Sequence, residues 1–263
     1  MRETTKTLLE IMRSPQPSQG LKNFDFSVAI PELEMLKGTA TENGCTHKDN
    51  FLHTLKVVDN VAKMTENELL RWAALFHDIG KTKTKRFDVE NGWTFHNHEK
   101  VSAKMVKTIF DRLGIKLSEI DLEYVCKIVR LHMRPISLIE NDVNDSAIRR
   151  LISEAGSDVE DLMILCRADV TSENAENVKK IDANYINVIQ RINDVRDKDL
   201  INSFKSPISG KDIMNELGIE KSRYIGILKD AVKEAIFDGI IDNDYSQAFR
   251  YMLDEAKRLG ITT

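Results

Sequence analysis

The stretch LLRWAALFHDIGK, residues 69–81, decides the reading of this chain. Leu70, Trp72, Ala73, Leu75 and Phe76 follow helical spacing and run into the polar pair His77 and Asp78 just before Gly80. So apolar a helix belongs in a core, and its end presents an imidazole and a carboxylate from the interior. Both are side-chain types that hold divalent cations.

Working outward, the same logic picks out four more residues. In DNFLHTLKVVDNVAK, residues 49–63, His53 lies in line with Val57 and Val61 at i+4 and i+8, so it projects from the apolar helical face. Asp169 in DLMILCRADVTSEN continues a face carrying Leu162 and Leu165. A carboxylate there is costly unless a cation or donor compensates it. His132 ends an apolar stripe of Val125, Ile128 and Val129 in YVCKIVRLHMRP, and should point inward. RFDVENGWTF, residues 86–95, reads as a hairpin with a turn signal at Asn91 and Gly92, after which His98 opens the helical pattern EKVSAKMVKTIFDRLG. His96 and His98 alternate along an extended segment, so one of the two reaches the interior; alternation leaves open which, and His98 is the candidate carried forward. Singly, each residue is explained as a hydrogen-bonded core histidine or a helix cap. Jointly, four of the six histidines fall in the ordered series His, His-Asp, His, His, Asp, and His47 and His96 have no comparable inward placement.

That series resembles the HD-domain phosphohydrolases, named for their His-Asp pair. The resemblance implies an all-α helical bundle in which His53, His77, Asp78 and Asp169 bind metal, with His98 and His132 matching the extra histidines of members that hold two ions. It also implies a phosphate-contacting Lys81, and makes His77, Asp78 and Lys81 the catalytic set. Arg134 is a second candidate for phosphate. A narrower similarity covers nearly the whole chain: LLEIMRSPQPSQGLKNF, PELEMLKG, RWAALFHDIGK, GWTFHNHEKVSAKMV, LHMRP and PISGKDIMNELGI look like the carboxy-terminal part of bacterial CCA-adding tRNA nucleotidyltransferases that carry an HD domain. The polymerising head of that family needs a Gly-Gly or Gly-Ser turn leading to a strand with paired carboxylates. The chain has no Gly-Gly, Gly156-Ser157 leads into a helical pattern, and Asp242 and Asp244 lie in a polar turn. No nucleotide addition is therefore expected.

Composition bounds the rest. With 263 residues, 41% hydrophobic and 30% charged, the chain can bury a sizeable core. Five Pro and 12 Gly argue against a turn-rich β architecture. No apolar signal region and no membrane-length run occur, so no membrane partner and a cytoplasmic location are expected. Cys45, Cys126 and Cys166 offer neither a disulfide framework nor a CxxC zinc signature. The expected organisation is a helical lead-in over 1–45, the HD domain with its short hairpin over 46–200, and a helical tail over 201–263. A net charge of −4 does not mark a dedicated nucleic-acid binder, although Lys81, Lys83, Lys85 and Arg86 form a local cationic strip.

Imidazole and carboxylate ligands without thiolates suit one or two catalytic ions among Mg, Mn, Fe, Co, Ni and Zn rather than a closed structural zinc site. Such an ion lowers the pKa of bound water from about 15.7 toward 7 and polarises a phosphoryl oxygen. The resemblance implies hydrolysis of nucleotide or RNA-end phosphoesters, of 2′,3′-cyclic phosphodiesterase and nucleotidase type. Two alternatives stand beside it: a phosphodiesterase of cyclic nucleotide signals, and a tRNA-binding module with little catalysis.

Overall fold

Asn67 starts the helix on which the sequence reading turns: its side-chain oxygen accepts from the Leu69 and Leu70 backbone N–H groups at 3.0 and 3.3 Å, satisfying two of the donors every helix start leaves orphaned. Asp49, Ser118 and Asp244 cap three further helices in the same way. The computed structural model describes residues 3–139, 145–172, 174–203 and 205–261.

In chain order the helices α1 (Glu3–Arg13) and α2 (Pro17–Asn23) come first, parted at Ser14–Gln16, with Pro17 at the first helical position where its missing N–H costs nothing. Then follow α3 (Pro31–Glu34), β1 (Thr41–Glu42), β2 (Cys45–Thr46), α4 (Asn50–Met64), α5 (Glu68–Phe76) and α6 (Lys81–Thr84). The hairpin β3 (Arg86–Asp88) and β4 (Gly92–Thr94) leads to α7 (His98–Leu113), α8 (Glu119–Leu131), α9 (Ile136–Ile139) and α10 (Asp145–Ala155). A 3-10 turn at Gly156–Asp158 precedes α11 (Val159–Ala168), and α12 (Ala175–Ser203), α13 (Gly210–Leu217), α14 (Arg223–Phe237) and α15 (Tyr245–Arg258) complete the chain. The fold is the helical bundle with a helical tail that the sequence predicts. Among the described residues, no helix is long and apolar enough to cross a membrane.

Among the described residues two antiparallel strand pairs accompany the helices, the expected hairpin and one more. β1 pairs with β2 through Glu42↔Cys45, across Asn43 and Gly44, both at positive φ as a two-residue type I′ turn requires. In the β3–β4 hairpin the register is Asp88↔Gly92, so Asn91 belongs to a three-residue loop and Gly92 alone takes the left-handed conformation, at φ 70°.

The chain divides into two compact units, Met1–Arg196 and Asp197–Thr263. In the first, Leu8, Met12, Leu21 and Phe26 of the lead-in share one core with Val57 and Val61 of α4, Trp72 and Phe76 of α5, Phe110 of α7 and Val129 of α8. Trp72, Phe76 and Phe110 meet with ring centroids 5.4–5.6 Å apart, and truncating one such ring to Ala costs about 3–5 kcal/mol. Buried Arg71 donates to the carbonyls of Met12 and Ser14, which fastens the end of α1 to α5. In the second unit Ile213, Leu217, Leu228, Val232 and Met252 form a separate core. Its first helix carries a capping box, Ser209 and Asp212 each bonding the other's backbone N–H.

Candidate metal centre

Helix ends build the site. His77 follows the last residue of α5, His132 the last residue of α8 and Asp169 the last residue of α11, while His98 is the first residue of α7. Helix C-termini leave carbonyls without partners. The His77 Nδ1 lies 2.7 Å from the Ala74 carbonyl and the His132 Nδ1 lies 2.7 Å from that of Val129, so each imidazole donates to an orphan three residues back. His98 Nδ1 meets the Phe95 carbonyl at 2.9 Å, and His53 Nδ1 meets Thr171 Oγ1 at 2.8 Å. Carbonyl partners require the proton on Nδ1 of His77, His98 and His132, so in their neutral form these rings turn an Nε2 lone pair to the interior; the Thr171 hydroxyl beside His53 Nδ1 can donate or accept. Outer-shell bonds of this kind fix metal-binding imidazoles.

The six predicted ligands come together as two triads. His53, His77 and Asp169 form one, and Asp78, His98 and His132 the other, the donor atoms within each lying inside 4.8 Å of one another. Asp78 faces both: its Oδ2 is 3.4 Å from His77 Nε2 and 3.7 Å from His53 Nε2, and its Oδ1 is 3.2 Å from His98 Nε2. All except Asp169 are buried, and Asp169 is the member at the edge.

Several contacts call for positive charge between them, a proton or a cation. His98 Nε2 and His132 Nε2 lie 3.3 Å apart, which needs a proton on one of them or an ion between two lone pairs. His53 Nε2 lies 2.8 Å from Asp169 Oδ1, yet Asp169 Oδ1 and His77 Nε2 are both buried without a hydrogen-bond partner. Orphaned donor-set atoms aimed at one space are what a cation would satisfy. The set is hard oxygen plus imidazole nitrogen, and it fits divalent ions. Cys166 stays out of it. Burial holds that thiol well above its usual range, and its Sγ donates to the His132 carbonyl at 3.0 Å.

Electrostatics tell the same story. Burial opposes charge on His77, but the Asp78 carboxylate and then Asp169 overcome it and push the imidazole up to about 10. Burial, followed by the charge on His77, pushes His132 down to about 4. Burial lowers His53 as well, against the pull of Asp169. Desolvation opposes charge on both carboxylates, yet His77 holds Asp78, and His53 with His77 holds Asp169, well below the ordinary range. Thus the centre carries two carboxylates in an interior that wants cationic charge.

Backbone packing holds these ends in place. Asn60 Nδ2 of α4 donates to the Ala168 carbonyl at 3.0 Å and so sets His53 against Asp169. Gly80 N donates to buried Ser102 Oγ at 2.8 Å where the turn after Asp78 meets α7. A Cβ at Gly80 would lie 2.4 Å from the His98 carbonyl oxygen, so only glycine allows this approach. Sequence reasoning missed Asn60, Ser102 and Thr171, although Thr171 stands two residues after Asp169.

The remaining predicted residues divide. Lys81 Nζ donates to Asp78 Oδ2 at 2.6 Å and lines a small recess of about 100 Å³ with Lys85 and Phe95. Arg134 is not brought to the centre: its side chain pairs with Glu154 at 3.2 Å and lines a different cavity with Arg150. His96 is exposed, which assigns the inward position to His98. His47 serves the hairpins, its Nδ1 donating to the Lys48 carbonyl and its Nε2 accepting from Lys85. Beside Asp169 opens a cavity of about 750 Å³, walled by Lys48, by Val170–Ser172 after α11, and by Lys180, Ile181 and Tyr185 of α12. Solvent reaches Lys48. Its ammonium nevertheless sits below the usual lysine range, held there by burial and then by the charge of Lys81, against the pull of Asp169 and Asp78.

Comparison with known proteins places this geometry. The HD domain family model matches residues 50–174. The A-adding tRNA nucleotidyltransferase of Deinococcus radiodurans is 26% identical over 234 residues, 86% of this chain and 52% of that protein. The CC-adding tRNA nucleotidyltransferase of Thermus thermophilus is 28% identical over 239 residues, 88% of this chain and 52% of that protein. A multifunctional CCA protein of Herminiimonas arsenicoxydans is 39% identical over 87 residues, 33% of this chain and 20% of that protein. The chain thus spans about half the length of the first two relatives.

Proposed function

Because residues 50–174 are an HD domain and the chain is homologous there to CCA-adding tRNA nucleotidyltransferases, we propose that this protein is a metal-dependent phosphohydrolase acting on nucleotide or RNA-end phosphoesters, of 2′,3′-cyclic phosphodiesterase and nucleotidase type. The observation that carries the reading is the pair of adjacent triads with Asp78 of one facing His53 and His77 of the other, and with buried His77 Nε2 and Asp169 Oδ1 left without partners. A divalent cation held there would supply Lewis acidity and an activated water near neutral pH.

The chain's own residues prepare that chemistry. His53, His77 and Asp169 would hold one ion and His98 and His132 a second, with Asp78 serving both. Their Nδ1 hydrogen bonds fix each ring before any ligand arrives, so no reorganisation is spent during turnover. Lys81 orients Asp78 through a bond of 2.6 Å. The cavity beside Asp169 offers a phosphoester a place next to the centre.

A substrate panel tests this. The metal-loaded protein should hydrolyse 2′,3′-cyclic mononucleotides and 2′- or 3′-monophosphates, and activity should vanish on chelation. A preference for 3′,5′-cyclic nucleotides or cyclic dinucleotides would instead favour the signal phosphodiesterase. Failure on every phosphoester with every divalent cation would refute hydrolysis. A tRNA-binding role rests on similarity to tRNA enzymes that runs past residue 174, since 234 to 239 residues align. Affinity for tRNA that falls steeply with rising salt would be its signature.

A further inference from the structure

The two lysines nearest the ion centre are differently employed. Lys81 has its ammonium on Asp78 at 2.6 Å and opens onto the small recess. The ammonium of Lys48 has no hydrogen-bond or ion-pair partner among the described residues, and it shares with Asp169 the wall of the larger cavity. An unpartnered cation beside buried Asp78 and half-buried Asp169 is the group left over for an incoming anion. Lys180, across the same cavity on α12, adds positive charge, while Ile136, Ile181 and Tyr185 supply an apolar and aromatic wall. A volume of about 750 Å³ is far more than a phosphoryl group fills. It falls within the roughly 300–1,000 Å³ typical of small-molecule sites.

We propose that Lys48, rather than Lys81, receives the phosphoryl group of the substrate, and that the cavity between residues 169–172 and α12 holds the organic part of a phosphoester about one nucleotide in size. This rests on the phosphohydrolase reading above. Lys48 lies in the loop ahead of α4, five residues before His53, so the helix that carries a metal ligand also positions the phosphate-binding residue. The shared chemistry is a terminal phosphate on one nucleoside, which a free mononucleotide or the end of an RNA strand can present.

The test is calorimetric titration of the Mn-loaded chain with inorganic phosphate, with a nucleoside 2′-monophosphate, and with a short oligoribonucleotide ending in the same phosphate. Lys48→Met should weaken all three by about ten- to a hundredfold, the cost of one charge-assisted contact. The bound metal should stay at the wild-type ratio, and Lys48→Arg should restore most of the affinity. Ile181→Trp, which fills the cavity, should abolish nucleotide binding and leave inorganic phosphate bound; Asn184→Trp makes the same test should the first variant fail to fold. Equal affinities for the mononucleotide and the oligonucleotide identify a site that reads one terminal residue, and tighter mononucleotide binding identifies a closed one. Both agree with the proposal, whereas strong oligonucleotide binding alone would overturn it. Unchanged phosphate affinity in Lys48→Met would overturn the assignment of Lys48, and unchanged nucleotide affinity in both Trp variants would overturn the cavity. Lysine-dependent phosphate binding in a protein that hydrolyses no phosphoester would keep this proposal and sink the hydrolase reading.

Discussion

Gly80→Ala asks whether backbone packing sets the geometry of the second triad. Gly80 sits at φ −66°, a conformation any residue adopts, so alanine brings no backbone strain and the whole effect is steric. The new methyl would lie 2.4 Å from the His98 carbonyl oxygen, 2.6 Å from Ser102 N and 2.8 Å from Ser102 Oγ. Real Cβ atoms essentially never come closer than 3.0 Å, so the start of α7 must retreat by at least 0.6 Å, the difference between 3.0 and 2.4. His98 moves with it, although its Nε2 has only 3.2 Å to Asp78 Oδ1 and 3.3 Å to His132 Nε2. Sites of this kind tolerate displacements of about 0.5 Å. Turnover and affinity for the second cation should therefore fall about 10- to 100-fold, and global stability by about 1–3 kcal/mol. His53, His77 and Asp169 should still bind the first ion. The assays are metal content by elemental analysis, turnover on the best phosphoester and urea unfolding. Gly226→Ala is the control, because nothing lies within 4 Å of a Cβ there and a mid-helix glycine gains about 0.5–1 kcal/mol on replacement. Wild-type metal content and turnover in Gly80→Ala would refute the reasoning.

Other perturbations separate ligands from their supports. His77→Ala should remove metal binding and turnover while keeping the helical circular dichroism spectrum, with a stability loss of about 2–4 kcal/mol from the cavity and the orphaned Ala74 carbonyl. Thr171→Val keeps the shape of the side chain but strips His53 Nδ1 of its partner, so metal affinity measured by competition with a chelator should fall about 10- to 100-fold. His96→Ala, at an exposed position, should leave metal content and turnover within twofold. Added Mn should raise resistance to urea by about 2.7 kcal/mol when free metal is a hundred times the dissociation constant, and Asp169→Ala should abolish that gain.

What could be read from the sequence was what shows as periodicity. The run from Leu70 to Phe76 marks a buried helix, and a polar residue placed just after such a run is a helix-end residue facing the interior; His77, His132 and Asp169 all obey this. The hairpin of Thr41–Thr46 was missed despite its Asn43-Gly44 turn signal, since its strand residues are all exposed and show no alternation. Asn60, Thr171 and Ser102 escaped for a different reason. Each acts across a distance in sequence, Thr171 on His53 over 118 residues and Asn60 on Ala168 over 108, and such pairings leave no local pattern. Arg134 lies two residues past His132 in the turn after α8, and its side chain turns to Glu154.

Because the imidazoles serve the backbone first, this centre behaves as a rigid socket assembled by folding itself. The hydrogen bonds that finish α5 and α8 also choose the tautomer of His77 and His132. Secondary structure and ligand field cannot then be altered separately. Lengthening either helix by a single residue would swing its nitrogen by about 100°, one residue's share of a 3.6-residue turn, so the lengths of these helices should be held as strictly as the identities of the ligands.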